Sequence, residues 1–226
     1  MLTIDFFRKL KILGRTLSRP RRLVNVVRNF RGIRRRDDHL NYMPYRITLE
    51  PTARCNIHCS MCQNSTWDRN PHDLTLEGFR KVLDQFPTLM AIKLHGIGEP
   101  LLNKELYAMV EEAVARGISV DTVTNGTALT ERICRRLLDC GFSNIYISVD
   151  GATPETFERI RAGAKFSKVI EGARRLTEMR GTRRHPGVHF WTTGQVGNID
   201  ELPDIVRLAK DVGVDSLQVN HDLVYW

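Results

Sequence analysis

The chain has 226 residues, 42% hydrophobic and 27% charged, a globular composition that excludes general disorder, and no apolar run approaches the ~20 residues that span a bilayer. Its formal charge of +8 is unevenly placed: residues 1–40 hold 12 Lys and Arg against 3 acids, and the rest of the chain sums to −1. Without a basic face on its main domain the protein is not expected to bind nucleic acid, and the Arg and Lys that interrupt the first 40 residues argue against a secretory signal and for a cytoplasmic setting.

Residues 1–44 read as a basic helical leader. Phe6, Leu10, Leu13 and Leu17 follow an i, i+4, i+7, i+11 spacing among Arg and Lys, the stripe of an amphipathic helix. Ser18-Arg19-Pro20 should end that helix. A second apolar set (Leu23, Val24, Val27, Phe30) follows, and Gly32 should break it. Two readings of the leader stand side by side. One is a basic amphipathic helix on an anionic bilayer, a peripheral membrane contact through residues 1–40. The other is a helical pair whose apolar side packs on the main domain while its basic side stays solvated, the usual behaviour of such stripes.

From residue 45 strands and helices alternate. Strands are predicted at Tyr45–Pro51, Ala91–Leu94, Ile118–Val123, Ile145–Val149, Val188–Thr193 and Leu217–Val219. Helices are predicted at Leu76–Phe86, Lys104–Ala115, Thr130–Cys140, Thr156–Arg161, Phe166–Met179 and Ile199–Val212. Strict β/α alternation implies a parallel sheet with right-handed crossovers. The length from residue 45 onward suits six units, short of the ~250 residues of an eight-fold barrel. The expected fold is therefore α/β: a partial (β/α)6 TIM-like barrel of parallel strands over residues 45–226, preceded by the basic helical segment. A last parallel strand with no helix to cover it suggests a barrel cut after its sixth strand.

The unusual residues fall at the C-terminal ends of strands, where parallel sheets bind ligands. Cys55, Cys59 and Cys62 follow the first strand, Gly98-Glu99-Pro100 the second and Thr124-Asn125-Gly126 the third; Ser148 and Asp150-Gly151 mark the fourth, with Arg161 shortly after. Three thiols within eight residues, in an odd total of five, read as a metal site rather than a disulfide framework. A closed iron–sulfur cubane takes four thiolates; three leave one iron open, as catalytic zinc centres keep an open position. The alternative is a non-catalytic iron–sulfur or zinc-binding module, with His58 or a distant residue as fourth ligand, although structural zinc sites favour paired clamps.

The string EPTARCNIHCSMCQ, with Cys55-x3-Cys59-x2-Cys62, followed by GIGEPLLN, TNGTAL and SVDGATPETFERIRAG, resembles the radical S-adenosylmethionine (radical SAM) enzymes over residues 45–221, and in particular members that carry a C-terminal SPASM or twitch extension. The resemblance implies that Cys55, Cys59 and Cys62 ligate a [4Fe–4S] cluster whose fourth iron chelates S-adenosylmethionine. It implies that Gly98, Glu99 and Pro100 meet the methionyl amine, a charge-assisted contact. Ser148 would touch the ribose or methionyl part, and Asn125 and Asp150 belong to the same rim. Arg161 would pair with the methionyl carboxylate through its planar fork, with Arg159 as the fallback. Met61 would lie beside the adenine, and Gln195-Val196-Gly197-Asn198 loosely matches a further adenine contact. A flavodoxin- or ferredoxin-type donor would supply the electron, and the substrate would be a peptide or a small molecule.

Cys134 and Cys140, six apart on one helix, read as buried apolar residues. His189, Trp191 and Thr193 share one face of the fifth strand, where His189 is expected to be a satisfied interior histidine. Asn220 and His221 end the sixth strand on the active rim, and His95 precedes the glycine loop.

Overall fold

A computed structural model describes residues 20–36, 38–65 and 72–220; the predicted stripe from Phe6 to Leu17 and His221 lie outside these residues. In chain order the elements are α1 (Pro20–Arg35), β1 (Arg46–Leu49), β2 (His58–Cys59), α2 (Leu76–Gln85), β3 (Ala91–Leu94), α3 (Leu106–Ala115), β4 (Ser119–Thr124) and α4 (Glu131–Asp139). They continue with β5 (Asn144–Ser148), α5 (Pro154–Ile160), β6 (Arg161–Ala162), α6 (Phe166–Arg180), β7 (Gly187–Thr193), α7 (Leu202–Val212) and β8 (Ser216–Asn220). Short polar residues start the helices: Thr75, Thr130 and Thr153 accept from Gly78, Ile133 and Thr156 N–H groups. Gly213, at φ 79°, ends α7 in the left-handed conformation that a Cβ disfavours.

Six strands form one sheet in the order β1-β3-β4-β5-β7-β8, and all five pairings are parallel. This is the predicted partial-barrel architecture. The outer face packs under the helices through Ile92, Leu94, Val120, Ile145, Ile147, Val188 and Phe190, all at most 3% exposed or fully buried. Fully burying aliphatic or aromatic side chains is worth roughly 1.5–3 kcal/mol each, so this layer holds the sheet.

The inner face has different chemistry. The period-2 rule and the registers put Thr48, Lys93, Asp121, Asn144, Tyr146, Ser148, His189, Trp191, Thr193 and Gln218 on it. In a flat sheet β3 and β7, three spacings apart, would lie about 14 Å from each other. Yet Lys93 Nζ sits 4.2 Å from the Trp191 ring centroid. The sheet is curled about these side chains, and they line the concave side.

Two features depart from the sequence-based expectation. Gly32 does not break the second leader helix; α1 runs through it, and a Cβ there would lie 2.1 Å from the Tyr42 hydroxyl, so glycine admits a close approach. Of the two readings of the leader, the one in which the apolar set packs on the main domain fails for α1. Arg22, Asn25, Asn29 and Gly32 face the body, while Val24, Val27, Phe30 and Ile33 are exposed. The reason is hydrogen bonding. Arg22 donates to the Arg116 and Gly117 carbonyls at 2.9 Å each, capping the C-terminus of α3. Asn25 exchanges bonds with the Met43 backbone and Asn29 donates to Met43 O.

Candidate active site

The C-terminal rim of the sheet gathers buried polar side chains: Glu99, Asn103, Thr124, Asn125, Ser148, Asp150, Arg161 and Asn198 are all at most 7% exposed. Buried polar groups are costly unless paired, and here pairing builds a scaffold around the cysteine loop.

The loop is stapled at its start. Thr52 and Arg54 converge on Asp73, with Arg54 Nη2 2.6 Å from Asp73 Oδ2. Asn103 Nδ2 donates to Pro51 O at 2.6 Å, and Glu99 N donates to Arg54 O at 2.8 Å. Gly98 lies so close that a Cβ would meet Thr52 O at 2.0 Å. Glu50, which the sequence reading passed over, accepts from the Ile97 and Gly98 N–H groups at 2.7 and 3.3 Å.

The far side is fixed by a two-stranded ribbon. β2 pairs antiparallel with β6, setting Cys59 opposite Arg161 and His58 opposite Ala162, and Ser60 N donates to Ile160 O at 2.8 Å. Arg161 Nη1 therefore stands 3.8 Å from Cys59 Sγ, and its Nη2 pairs with Asp150 at 2.6 Å. Arg159 turns away and donates to Gly197 O. Asp150 is itself pinned, because its Oδ1 accepts from Thr193 N at 2.7 Å.

Cys55 approaches the other wall. Asn125 Nδ2 is 3.9 Å from Cys55 Sγ and 3.0 Å from Asn56 Oδ1. Behind it Glu99 accepts from Asn125 N, Thr124 Oγ1 and Leu101 N at 2.7, 2.7 and 3.1 Å. Three of the ~four lone-pair sites of that carboxylate are thus used within the protein, leaving one. Burial raises the Glu99 pKa against the effect of these donors.

Burial pushes the Cys59 thiol up to about 11, with Arg161 opposing and the neighbouring Cys62 and Cys55 reinforcing. Cys55 is raised chiefly by burial, with Glu99 and Cys62 adding to it. Among the described residues no group of three or more His, Cys, Asp or Glu side chains is placed to hold a single metal ion. Thiols this reluctant to ionise become ligands when a metal supplies the charge.

Buried polar atoms on the rim lack partners. Among the described residues Arg161 Nε and Gln195 Nε2 have no hydrogen-bond partner. These atoms fit a polar cofactor. Gln195-Val196-Gly197-Asn198 divides its roles: Asn198 Nδ2 donates to Asp150 O and Thr193 O, Val196 is exposed, and Gln195 retains the free amide nitrogen. Met61 is half-buried against the core.

Elsewhere the residues are structural. Both ring nitrogens of His189 are engaged, by Ser216 Oγ at 2.8 Å and Asn144 Oδ1 at 3.1 Å, and the ring stacks on Tyr146. Cys134 and Cys140 are buried, each with its pKa pushed up to about 11 by burial. His58 is exposed. Lys93, missed in the sequence, had one signal: a lone cation in the apolar run Ala91–Leu94.

A family model described as the Radical SAM superfamily matches residues 49–209. The tungsten-containing aldehyde ferredoxin oxidoreductase cofactor-modifying protein of Pyrococcus furiosus is 32% identical over 180 residues, 76% of this chain and 50% of that protein. Pre-heme d1 synthase of Dinoroseobacter shibae is 34% identical over 179 residues, 77% of this chain and 42% of that one. The crystal structure of Streptococcus suis SuiB bound to precursor peptide SuiA superposes with a TM-score of 0.67 at 13% identity, over 78% of this chain and 39% of that chain. It shows the same fold. The chain spans half or less of the length of these proteins. The relatives include a mycofactocin maturase of Mycolicibacterium smegmatis, 26% identical over 171 residues, and the superfamily works with a [4Fe–4S] cluster and S-adenosylmethionine. Sequence match, parallel half-barrel and three-cysteine rim agree, and the chain belongs to the radical SAM superfamily of enzymes.

Proposed function

We propose that this chain forms the catalytic core of an enzyme that reductively cleaves S-adenosylmethionine and acts on a peptide or small-molecule substrate. Bound together, a [4Fe–4S] cluster and S-adenosylmethionine supply a 5′-deoxyadenosyl radical that takes hydrogen from a substrate. Cys55, Cys59 and Cys62 would hold the cluster. The carrying observation is the β2–β6 ribbon, which seats Cys59 against Arg161 while Asn125 and Glu99 close on Cys55.

The roles follow from the groups still open. Arg161, its charge oriented by Asp150, offers Nε to a carboxylate. Glu99 retains one acceptor site beside the Gly98 backbone, suited to an ammonium. Pro100 starts the turn that aims Glu99, whose side chain caps it at Leu101 N. Ser148, buried on the same rim, would contact the ribose or methionyl part. Asp150, with no exposed surface, serves as a positioning residue for Arg161 rather than touching the cofactor.

The substrate would lie on the concave face, against Lys93, Tyr146 and Trp191. The names of relatives support the substrate class, among them a PqqA peptide cyclase and SuiB bound to a precursor peptide. A flavodoxin- or ferredoxin-type donor would deliver the electron, since reducing the cluster needs the low end of the range of iron–sulfur potentials.

Anaerobic reconstitution with iron and sulfide, followed by dithionite and S-adenosylmethionine, tests the reading. The expected result is a brown protein that releases 5′-deoxyadenosine and methionine. A colourless protein that retains one zinc and releases neither overturns it.

A further inference from the structure

α1 lies at the other end of the sheet from the rim. Arg22 caps the carbonyls just before β4, and Asn25 and Asn29 hold the segment just before β1, so the helix covers the N-terminal ends of the strands. These bonds fix which side faces the body. The outward side is left apolar: Phe30, Ile33 and Leu40 are 55%, 65% and 63% exposed, and Val24, Val27 and Met43 add to them. Exposed apolar groups this concentrated mark an interaction surface rather than scattered surface residues.

The charge beside them has one sign. From Pro20 to Arg36 there are seven arginines and no acid, and Arg21, Arg28, Arg31 and Arg34 are exposed. A groove of about 560 Å³ opens between α1 and the 40–43 segment, with Val24, Leu40 and Met43 as its apolar wall and Arg21 and Arg28 as its cationic one.

We propose that α1 and residues 40–43 form a peripheral docking face for a bilayer containing anionic lipid. An apolar face flanked by arginines is the pattern of an interfacial helix: apolar groups enter the boundary of the acyl chains while guanidinium groups meet the headgroups. At ~24 Å long, α1 lies along the surface; among the described residues no helix is long and apolar enough to cross a membrane. Charge complementarity selects the partner. Arg21, Arg28, Arg31, Arg34, Arg35 and Arg36 are exposed beside this face on a chain whose residues 41–226 sum to −1, whereas two copies meeting through this face would bring like charges together. Docking here leaves the cysteine rim, at the opposite ends of the strands, open to water. The proposal does not depend on the activity proposed above.

Flotation of the full chain with vesicles tests it, using phosphatidylcholine alone and phosphatidylcholine mixed with phosphatidylglycerol. The wild-type protein is expected to float with the mixed vesicles, to stay behind with phosphatidylcholine alone and to be released by salt. Val24→Glu with Ile33→Glu, and separately Arg31→Glu with Arg34→Glu, should each cut flotation by about ten-fold or more, with unchanged far-ultraviolet circular dichroism and urea midpoint, since all four side chains are exposed. Wild-type protein that ignores the mixed vesicles overturns the proposal. So do variants that float equally well, which would assign binding to another part of the chain. A lipid-free dimer abolished by Ile33→Glu, or capture of an acidic protein with no affinity for vesicles, would assign the face to a protein partner and overturn it as well.

Discussion

The two faces of the sheet share strands, backbone register and twist, and differ in almost everything else. The outer face is aliphatic and aromatic, sealed under helices, with Phe190 and Ile147 fully buried. The inner face carries Lys93, Asp121, Tyr146, His189 and Trp191, partly open and tied together by side-chain contacts. Alternation makes this separation possible, because neighbours along a strand answer to different demands. Residues of the outer face should therefore govern stability, and residues of the inner face and its rim should govern chemistry.

The sharpest way to break this division is at the rim. Cys59→Ala should abolish cluster assembly and 5′-deoxyadenosine release outright while leaving a folded chain, read as iron and sulfide content beside circular dichroism. If that variant retains its full iron, the cluster assignment fails. Next comes the outer face, where Phe190→Ala should cost ~3–5 kcal/mol of unfolding free energy in urea and act on turnover only through loss of folded protein. A group that belongs to both sides follows. Arg161→Met strands the fully buried Asp150 carboxylate, and breaking such a pair typically costs ~3–5 kcal/mol. Asp150→Asn together with Arg161→Met should recover part of that stability without recovering S-adenosylmethionine binding, measured by equilibrium dialysis.

Smaller effects sharpen the contrast. Lys93→Met removes a cation from two aromatic faces, worth roughly 0.5–1 kcal/mol; its stability should hardly move, and S-adenosylmethionine cleavage in the absence of substrate should persist. Binding of an anionic substrate should weaken, and a variant equal to wild type would remove Lys93 from the substrate wall. His95 is read through pH instead. Burial, aided by Lys93, lowers its pKa from 6.5 to about 4. The unfolded state then binds more protons between those values, so stability rises with pH across about 4–6.5 and is lost as pH falls through that window. His95→Gln should flatten that part of the urea-midpoint profile.

Much of this arrangement was readable from residues alone. The switch between a period of 2 and a period near 3.6 marked the six strands and their helices, and strand ends rich in Gly and Asn marked the rim. Three thiols at close spacing could serve little else. Other features left no local trace. The β2–β6 ribbon is two residues long on each side, and no hydrophobic period exists at that length. The orientation of α1 escaped because its apolar residues advertise a buried face; Arg22 and the two asparagines reverse it through backbone carbonyls supplied by distant loops. Glu50 looks like an ordinary acid at a strand end until the fold brings the 97–98 amides to it.

The pairing of Cys59 with Arg161 joins positions 102 residues apart. Closing so long a loop is entropically expensive and slow relative to local contacts, and the intervening chain includes three strands of the main sheet. The arginine therefore reaches its thiol only once most of the barrel has assembled. A nascent chain would display its cysteines well before that guanidinium arrives, which makes the finished scaffold, rather than the emerging peptide, the competent recipient for iron and sulfide.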